Sequence, residues 1–200
     1  MTPHLHKDYV GAKFGMWLFL FTELILFGGL FILYAVYLSR YPAAFIAAGA
    51  ELDLRFGAAN TLILLTSSLF VALSITALRL GKTRQSLWLL AATVASALLF
   101  LVNKFFEWSA KIQHGLYPAS PELQAREIGE TVYFNLYYLT TGLHGLHVLI
   151  GAVVIVWVMV FIRQQKVHRD DWVILENAGL YWHLVDLIWI FLFPLYYLVL

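Results

Sequence analysis

The sequence predicts an all-α membrane protein, a bundle of five transmembrane helices, and three observations carry that prediction. Of its 200 residues, 62% are hydrophobic and only 12% charged. A water-soluble domain needs about twice that charge to cover its surface. Five uncharged or nearly uncharged runs each reach the ~20 residues a helix needs to cross a hydrocarbon core of about 30 Å. The connections between them leave no room for a second domain, so residues 1–200 read as one transmembrane unit.

The first run, about 14–38, is broken only by Glu23. The second, about 56–78, lies between Arg55 and Arg79, and the third, about 85–108, carries Lys104 and Glu107 at its far end. The fourth, about 132–162, contains no Asp, Glu, Lys or Arg. It is longer than a crossing requires, so it is expected to tilt or to project beyond the lipid. The fifth, about 177–200, carries His183 and Asp186. The longest connection, roughly 110–130, holds a turn-forming cluster of Gly115, Pro118 and Pro121. The amino-terminal segment shows no small-residue cleavage site and leads into a full-length span, so the first helix is expected to be retained.

The chain contains no cysteine, which excludes disulfides, thiolate metal sites and thiol catalysis. Its basic residues are scattered, so nothing points to nucleic acid as a partner. Their distribution between alternate connections does set a direction. Lys7, Lys13, Arg79, Lys82, Arg84, Arg163, Lys166 and Arg169 fall on one side; Arg40, Arg55, Lys111 and Arg126 fall on the other. The excess of Lys and Arg marks the cytoplasmic side, so the N-terminus is expected in the cytoplasm and the C-terminus in the periplasm. Trp17, Trp88, Trp108, Trp172 and Trp182 lie near run ends, as interfacial belts do. Gly28, Gly29, Gly142, Gly145 and Gly151 permit close helix packing.

Ionisable residues at membrane depth face protein or water and have partners. Five stand out, Glu23, His144, His147, His183 and Asp186, with Lys104 and Glu107 nearer a helix end. His144 and His147 share one helix face, as do His183 and Asp186, because each pair is three residues apart. Counting ~1.5 Å per residue, Glu23 lies ~15 Å in from Lys13, Asp186 about as far from Glu176, and His183 slightly less. His147 and His144 lie ~24 and ~28 Å from Arg163 on the same scale. The pairs on the fourth and fifth helices are therefore expected to be offset by more than ~10 Å in depth. On this reckoning His183 is the natural partner of Glu23, and His147 is less well placed. Three readings fit the set: a closed hydrogen-bond network that locks helices together, a proton path, or a two-metal or haem site of the kind bundle helices can build. The depth offset disfavours the last. The His4 and His6 pair reads as a solvated tail. No nucleophile elbow, phosphate loop or dinucleotide fingerprint is present.

Several segments resemble subunit III of haem–copper respiratory oxidases. KFGMWLFLFTELILFGGLF (Lys13 to Phe31) resembles the family helix that carries a buried glutamate, here Glu23. NTLILLTSS from Asn60 and FFEW ending at Trp108 resemble the next two helices. TTGLHGLHVLIG from Thr140 and YWHLVDLIW from Tyr181 are the most specific. The resemblance runs along essentially the whole chain, in order. It implies a multi-pass subunit of a bacterial inner membrane that binds no haem or copper itself. Haem and copper are expected in partner subunits: subunit I, which it contacts directly, and subunit II. It also implies bound phospholipid, support of proton uptake into subunit I, and membership of a complex that reduces oxygen with electrons from cytochrome c while translocating protons. Arg163, in FIRQQKVH, matches a basic residue that engages a lipid headgroup in longer relatives. Those relatives have seven helices; five spans are read here, without counterparts of the first two, so a complete lipid cleft is not expected. The alternatives are an equivalent subunit of a quinol oxidase or nitric oxide reductase complex, or an independent membrane metalloprotein or proton carrier.

The charge asymmetry yields a direct test. A reporter fused after Leu200 is expected to be active only if it functions in the periplasm; cytoplasmic activity there overturns the topology.

Overall fold

The computed structural model describes residues 8–198; His4, His6 and Lys7 lie outside them. Seven helices occur among the described residues: α1 (Tyr9–Arg40), α2 (Pro42–Ala50), α3 (Leu54–Arg79), α4 (Thr83–Gln113), α5 (Pro121–Gln124), α6 (Ile128–Arg163) and α7 (Val173–Tyr197). Five of them, α1, α3, α4, α6 and α7, are long and apolar enough to cross a membrane. The fold is therefore an all-α bundle of five transmembrane helices. The side on which α1 begins is called the amino-terminal side below.

Local chemistry sets the helix ends. Asp8 accepts from Gly11 N–H at 2.8 Å and caps α1 five residues before the first charged residue inside it, Lys13. Asp53 caps α3 by accepting from Arg55 N–H at 2.9 Å. Such caps satisfy backbone donors that lack an intrahelical partner. Gly81, at φ +75°, supplies the left-handed turn between α3 and α4. Two short helices were not visible in the apolar pattern. Pro42 opens α2, where its missing N–H is no loss. Ser120 caps α5 through Leu123 N–H, and Pro121 starts it. Beside these helices Arg126 bridges Glu51 and Glu130, the latter at 2.9 Å, and Lys111 donates to the Glu51 carbonyl.

α7 is the inner helix. It packs between α3 and α6, touches α1 along another edge, and buries Trp182, Trp189, Tyr196 and Asp186. α4 lies against α3 and α6. α1 packs on α6 and α7 and leaves most of its length facing outward, with Leu18, Ile25 and Ile32 all more than half exposed. α6 is 36 residues long, about 54 Å. It projects past the start of α7.

The close approach of α6 to α7 depends on Gly151. A Cβ there would lie 2.8 Å from the Trp182 ring, which is fully buried and cannot yield. On α1, by contrast, a Cβ at Gly29 would meet no heavy atom within 4 Å. Gly151→Ala is therefore expected to destabilise the bundle by about 1–3 kcal/mol. Gly29→Ala should be neutral, or stabilising by up to about 1 kcal/mol through helix propensity. Thermal unfolding midpoints in detergent check both; equal effects would contradict this packing.

Candidate functional site

The polar residues of the interior fall into three groups arranged along α6 and α7. Lys104 and Glu107 occupy one turn of α4, 6% and 3% exposed. The Lys104 ammonium donates to Glu107 at 3.0 Å, to the Tyr137 hydroxyl at 3.0 Å and to the Tyr197 hydroxyl at 2.9 Å. Both tyrosines in turn donate to the other Glu107 oxygen, each at 2.6 Å. The ammonium also lies 4.9 to 5.6 Å from the ring centres of Tyr137, Trp189 and Tyr197, where the ring quadrupole attracts a cation. All three ammonium protons are used. This is a closed ion pair that ties α4, α6 and α7 together.

The second group joins α1 to α6. His147 Nε2 lies 2.9 Å from Glu23 Oε2, and its Nδ1 lies 2.8 Å from the Leu143 carbonyl. A carbonyl only accepts, so the Leu143 contact fixes a proton on Nδ1. The bond to Glu23 then needs one further proton, carried by either the imidazole or the carboxyl. Both side chains retain some exposure, 14% for Glu23 and 11% for His147.

The third group lies between α7 and α3. His183 Nδ1 is 2.6 Å from the Ser68 hydroxyl. Asp186 is buried, and neither carboxyl oxygen has a hydrogen-bond partner among the described residues. Ser68, the polar side chain beside it, is engaged with His183. His144 is fully buried and neither nitrogen has a hydrogen-bond partner among the described residues; its ring lies 5.5 Å from Phe100 and 5.2 Å from Trp189. Arg163 ends α6 beside a shallow groove formed with Ala91, Val94 and Met159.

Two sequence-based expectations are corrected here. Glu23 pairs with His147, not with His183. The depth reckoning treated Arg163 and Glu176 as level, but Gly151 packs on Tyr181 and Trp182. Arg163 therefore lies ~18 Å beyond that contact and Glu176 only ~8 Å, so α6 overshoots by ~10 Å. On α1, Asn177 donates to the Ala12 carbonyl, which makes those two residues level. Glu23 then lies ~16 Å past this level and His183 only ~9 Å. For the same reason the α6 and α7 pairs are not offset by more than ~10 Å; His144 stands beside Trp189, and His147 one turn away falls close to Asp186 in depth. What separates the imidazoles is direction. His147 turns to α1 and His183 to α3. Among the described residues no three His, Asp or Glu side chains converge as a metal site would need.

Sequence reasoning missed Tyr137, Tyr197 and Ser68 as partners. Two of these had a readable signal. Tyr137, Thr140, Thr141, His144 and His147 recur at three- and four-residue spacing on α6, a continuous polar stripe in an apolar helix. Asp186, Trp189, Phe193 and Tyr197 do the same on α7. Ser68 had no such signal.

Comparison with known proteins bears on what such an arrangement serves. A family model described as "Cytochrome c oxidase subunit III" matches residues 2–199. The cytochrome c oxidase subunit 3 of Synechocystis sp. is 33% identical over 196 residues, 98% of this chain and 78% of that protein. Its counterpart in Thermostichus vulcanus is 31% identical, over 98% of this chain and 90% of that protein. A protein of Aeropyrum pernix named heme-copper oxidase subunit I+III is 28% identical over 96% of this chain, which spans 23% of it.

The closed ion pair makes a double-substitution test possible. Lys104→Met strands a buried carboxylate and is expected to cost about 3–5 kcal/mol. Lys104→Met combined with Glu107→Met removes both charges and should unfold closer to the wild type than the single variant does. Unfolding in detergent measures both; a double variant as unstable as the single one would refute the pairing.

Proposed function

The chain belongs to the cytochrome c oxidase subunit III family, and we propose on that premise that it is a non-redox subunit of a terminal haem–copper oxidase in a bacterial inner membrane. In this reading it packs directly against the large haem-bearing subunit I, stabilises it with its lipids, and supports proton uptake into it. Haem and copper reside in subunits I and II. The observation that carries the reading is the divergence of the ionisable side chains: Lys104 and Glu107 are sealed against each other, while His147 and His183 point to opposite helices. Groups so arranged are suited to bracing helices, which supports the non-redox reading. The existence of a relative named subunit I+III supports contact with subunit I in particular.

Orientation follows the distribution of Lys and Arg, with the amino-terminal side in the cytoplasm. Arg163 then lies at the cytoplasmic headgroup level, at the end of an apolar helix. A guanidinium matches a phosphate bidentately, so Arg163 is assigned to an anionic lipid headgroup. Glu23 acts through its bond to His147, which fastens the outlying helix α1 to the bundle.

Purification of the tagged chain in mild detergent tests the proposal: a haem-bearing subunit should accompany it, and the separated chain should show no Soret band. Glu23→Gln keeps a hydrogen bond to His147 and should retain subunit I and near-normal oxygen consumption. Glu23→Ala should loosen α1 and reduce retention of subunit I. Loss of turnover in an intact Glu23→Gln complex would make Glu23 an obligatory proton carrier and overturn its structural role.

A further inference from the structure

α1 and α3 both pack on α7, yet they do not touch each other. Between them one strip of α7 is left uncovered. His183, Leu187, Ile190 and Pro194 succeed one another at three- and four-residue intervals, so they share a face. The neighbouring faces of α7 are occupied. Trp182 and Trp189 donate to Ser67 and Thr61 of α3, and Phe191 packs its ring 6.1 Å from Phe31 of α1. Leu187 and Ile190 remain 44% and 41% exposed. The strip is thus the floor of an open trough walled by α1 and α3.

The trough has one polar feature. His183 is only partly buried, and its Nδ1 is engaged by Ser68. Its Nε2 has no hydrogen bond to any described residue and is not among the buried unpaired atoms, so it opens into the trough. His183 stands ten residues into α7, ~15 Å along the helix, near the middle of a hydrocarbon core about 30 Å thick. At that depth the surroundings of an uncovered side chain are hydrocarbon, remote from the headgroups. A polar nitrogen facing acyl chains there is disfavoured, because hydrocarbon offers no hydrogen-bond partner.

We propose that this trough receives a transmembrane helix of subunit I, which supplies a hydrogen-bonding side chain to His183 Nε2. The inference rests on the oxidase reading above and goes further by naming the docking face and its polar anchor. An acyl chain could fill the trough but cannot satisfy the imidazole. A second copy meeting this one trough to trough cannot either, because its own His183 is recessed between two helices and two recessed floors do not meet. A single partner helix with one polar group at mid-depth meets both requirements.

The experiment uses the assembled complex. A photo-crosslinking phenylalanine derivative is installed at Ile190 in the trough or at Val153 on the outward face of α6, which is 52% exposed. Irradiated membranes should give a cross-link to subunit I from Ile190, at least ten-fold above that from Val153. In parallel, His183→Leu should lose at least ten-fold in retention of subunit I through detergent washing. His183→Gln, which keeps an outward polar group, should restore most of it. Capture of lipid alone or of a second copy at Ile190 would overturn the proposal. So would an intact complex that cross-links preferentially through Val153, or full retention in His183→Leu. Failure of the wild-type chain to co-purify with subunit I would instead refute the oxidase reading, and this docking face with it.

Discussion

A charge placed in hydrocarbon must be neutralised by the protein itself, and much of this bundle is arranged around that requirement. Lys104 lies where neither water nor a phosphate is at hand, so its three protons go to Glu107, Tyr137 and Tyr197. Those partners come from α4, α6 and α7, and meeting them fixes the rotation of each helix about its own axis. Apolar packing alone would do this poorly, since lipid tails are as apolar as the side chains they compete with. Directional bonds to a single ammonium supply the specificity that the hydrophobic effect cannot supply between membrane helices.

The same principle orders the other helices around α7. Its Trp182 and Trp189 indoles each find a hydroxyl on α3, at Ser67 and Thr61. On the opposite side Tyr181 donates to the His147 carbonyl of α6 at 3.1 Å. Tyr34 of α1 donates to the Leu195 carbonyl, one of the last four carbonyls of α7, which have no intrahelical donor because the helix ends at Tyr197. Most of these links involve an aromatic residue with one polar atom. Such side chains fill volume in the interior and still end in a group that must be paired, so they serve packing and register together.

Much of this was legible in the sequence. Uninterrupted apolar length showed the five spans, because in a bilayer length is dictated by thickness. The set of residues needing partners was equally visible: Glu23, Lys104, Glu107, His144, His147, His183 and Asp186 are conspicuous against their surroundings. The choice of partner was not. Depth counted from the nearest charged residue assumes that helices end level. α6 breaks that assumption by overshooting α7, and α1 by beginning at Tyr9. An error of a few residues moves a side chain by about a helical turn, ~5 Å, enough to exchange one histidine for another. The helices α2 and α5 escaped notice for a different reason: they lie in connections, where Pro, Ser and Asp at the ends carry the information and apolar periodicity carries none.

The polar residues also differ in whether their bonding is complete, and that difference separates bracing from contact. Lys104 has spent all three protons inside the chain and both Glu107 oxygens are paired there, so nothing outside is required to finish them. Their work is internal, and so is that of Tyr133, whose hydroxyl is spent on the Tyr196 carbonyl. His144 and Asp186 are incomplete but sealed; a buried polar atom of this kind calls for a bound water or a neutral form, since no partner subunit reaches it. His183 is both incomplete and open. In an aqueous protein that would mean nothing, because water completes every exposed nitrogen. At mid-membrane the surroundings cannot, so an open polar atom points outward to another protein chain. An incomplete polar atom left open at that depth therefore marks a face fitted to a partner chain. Lipid is the wrong solvent for such a side chain, which the fold nonetheless leaves facing it.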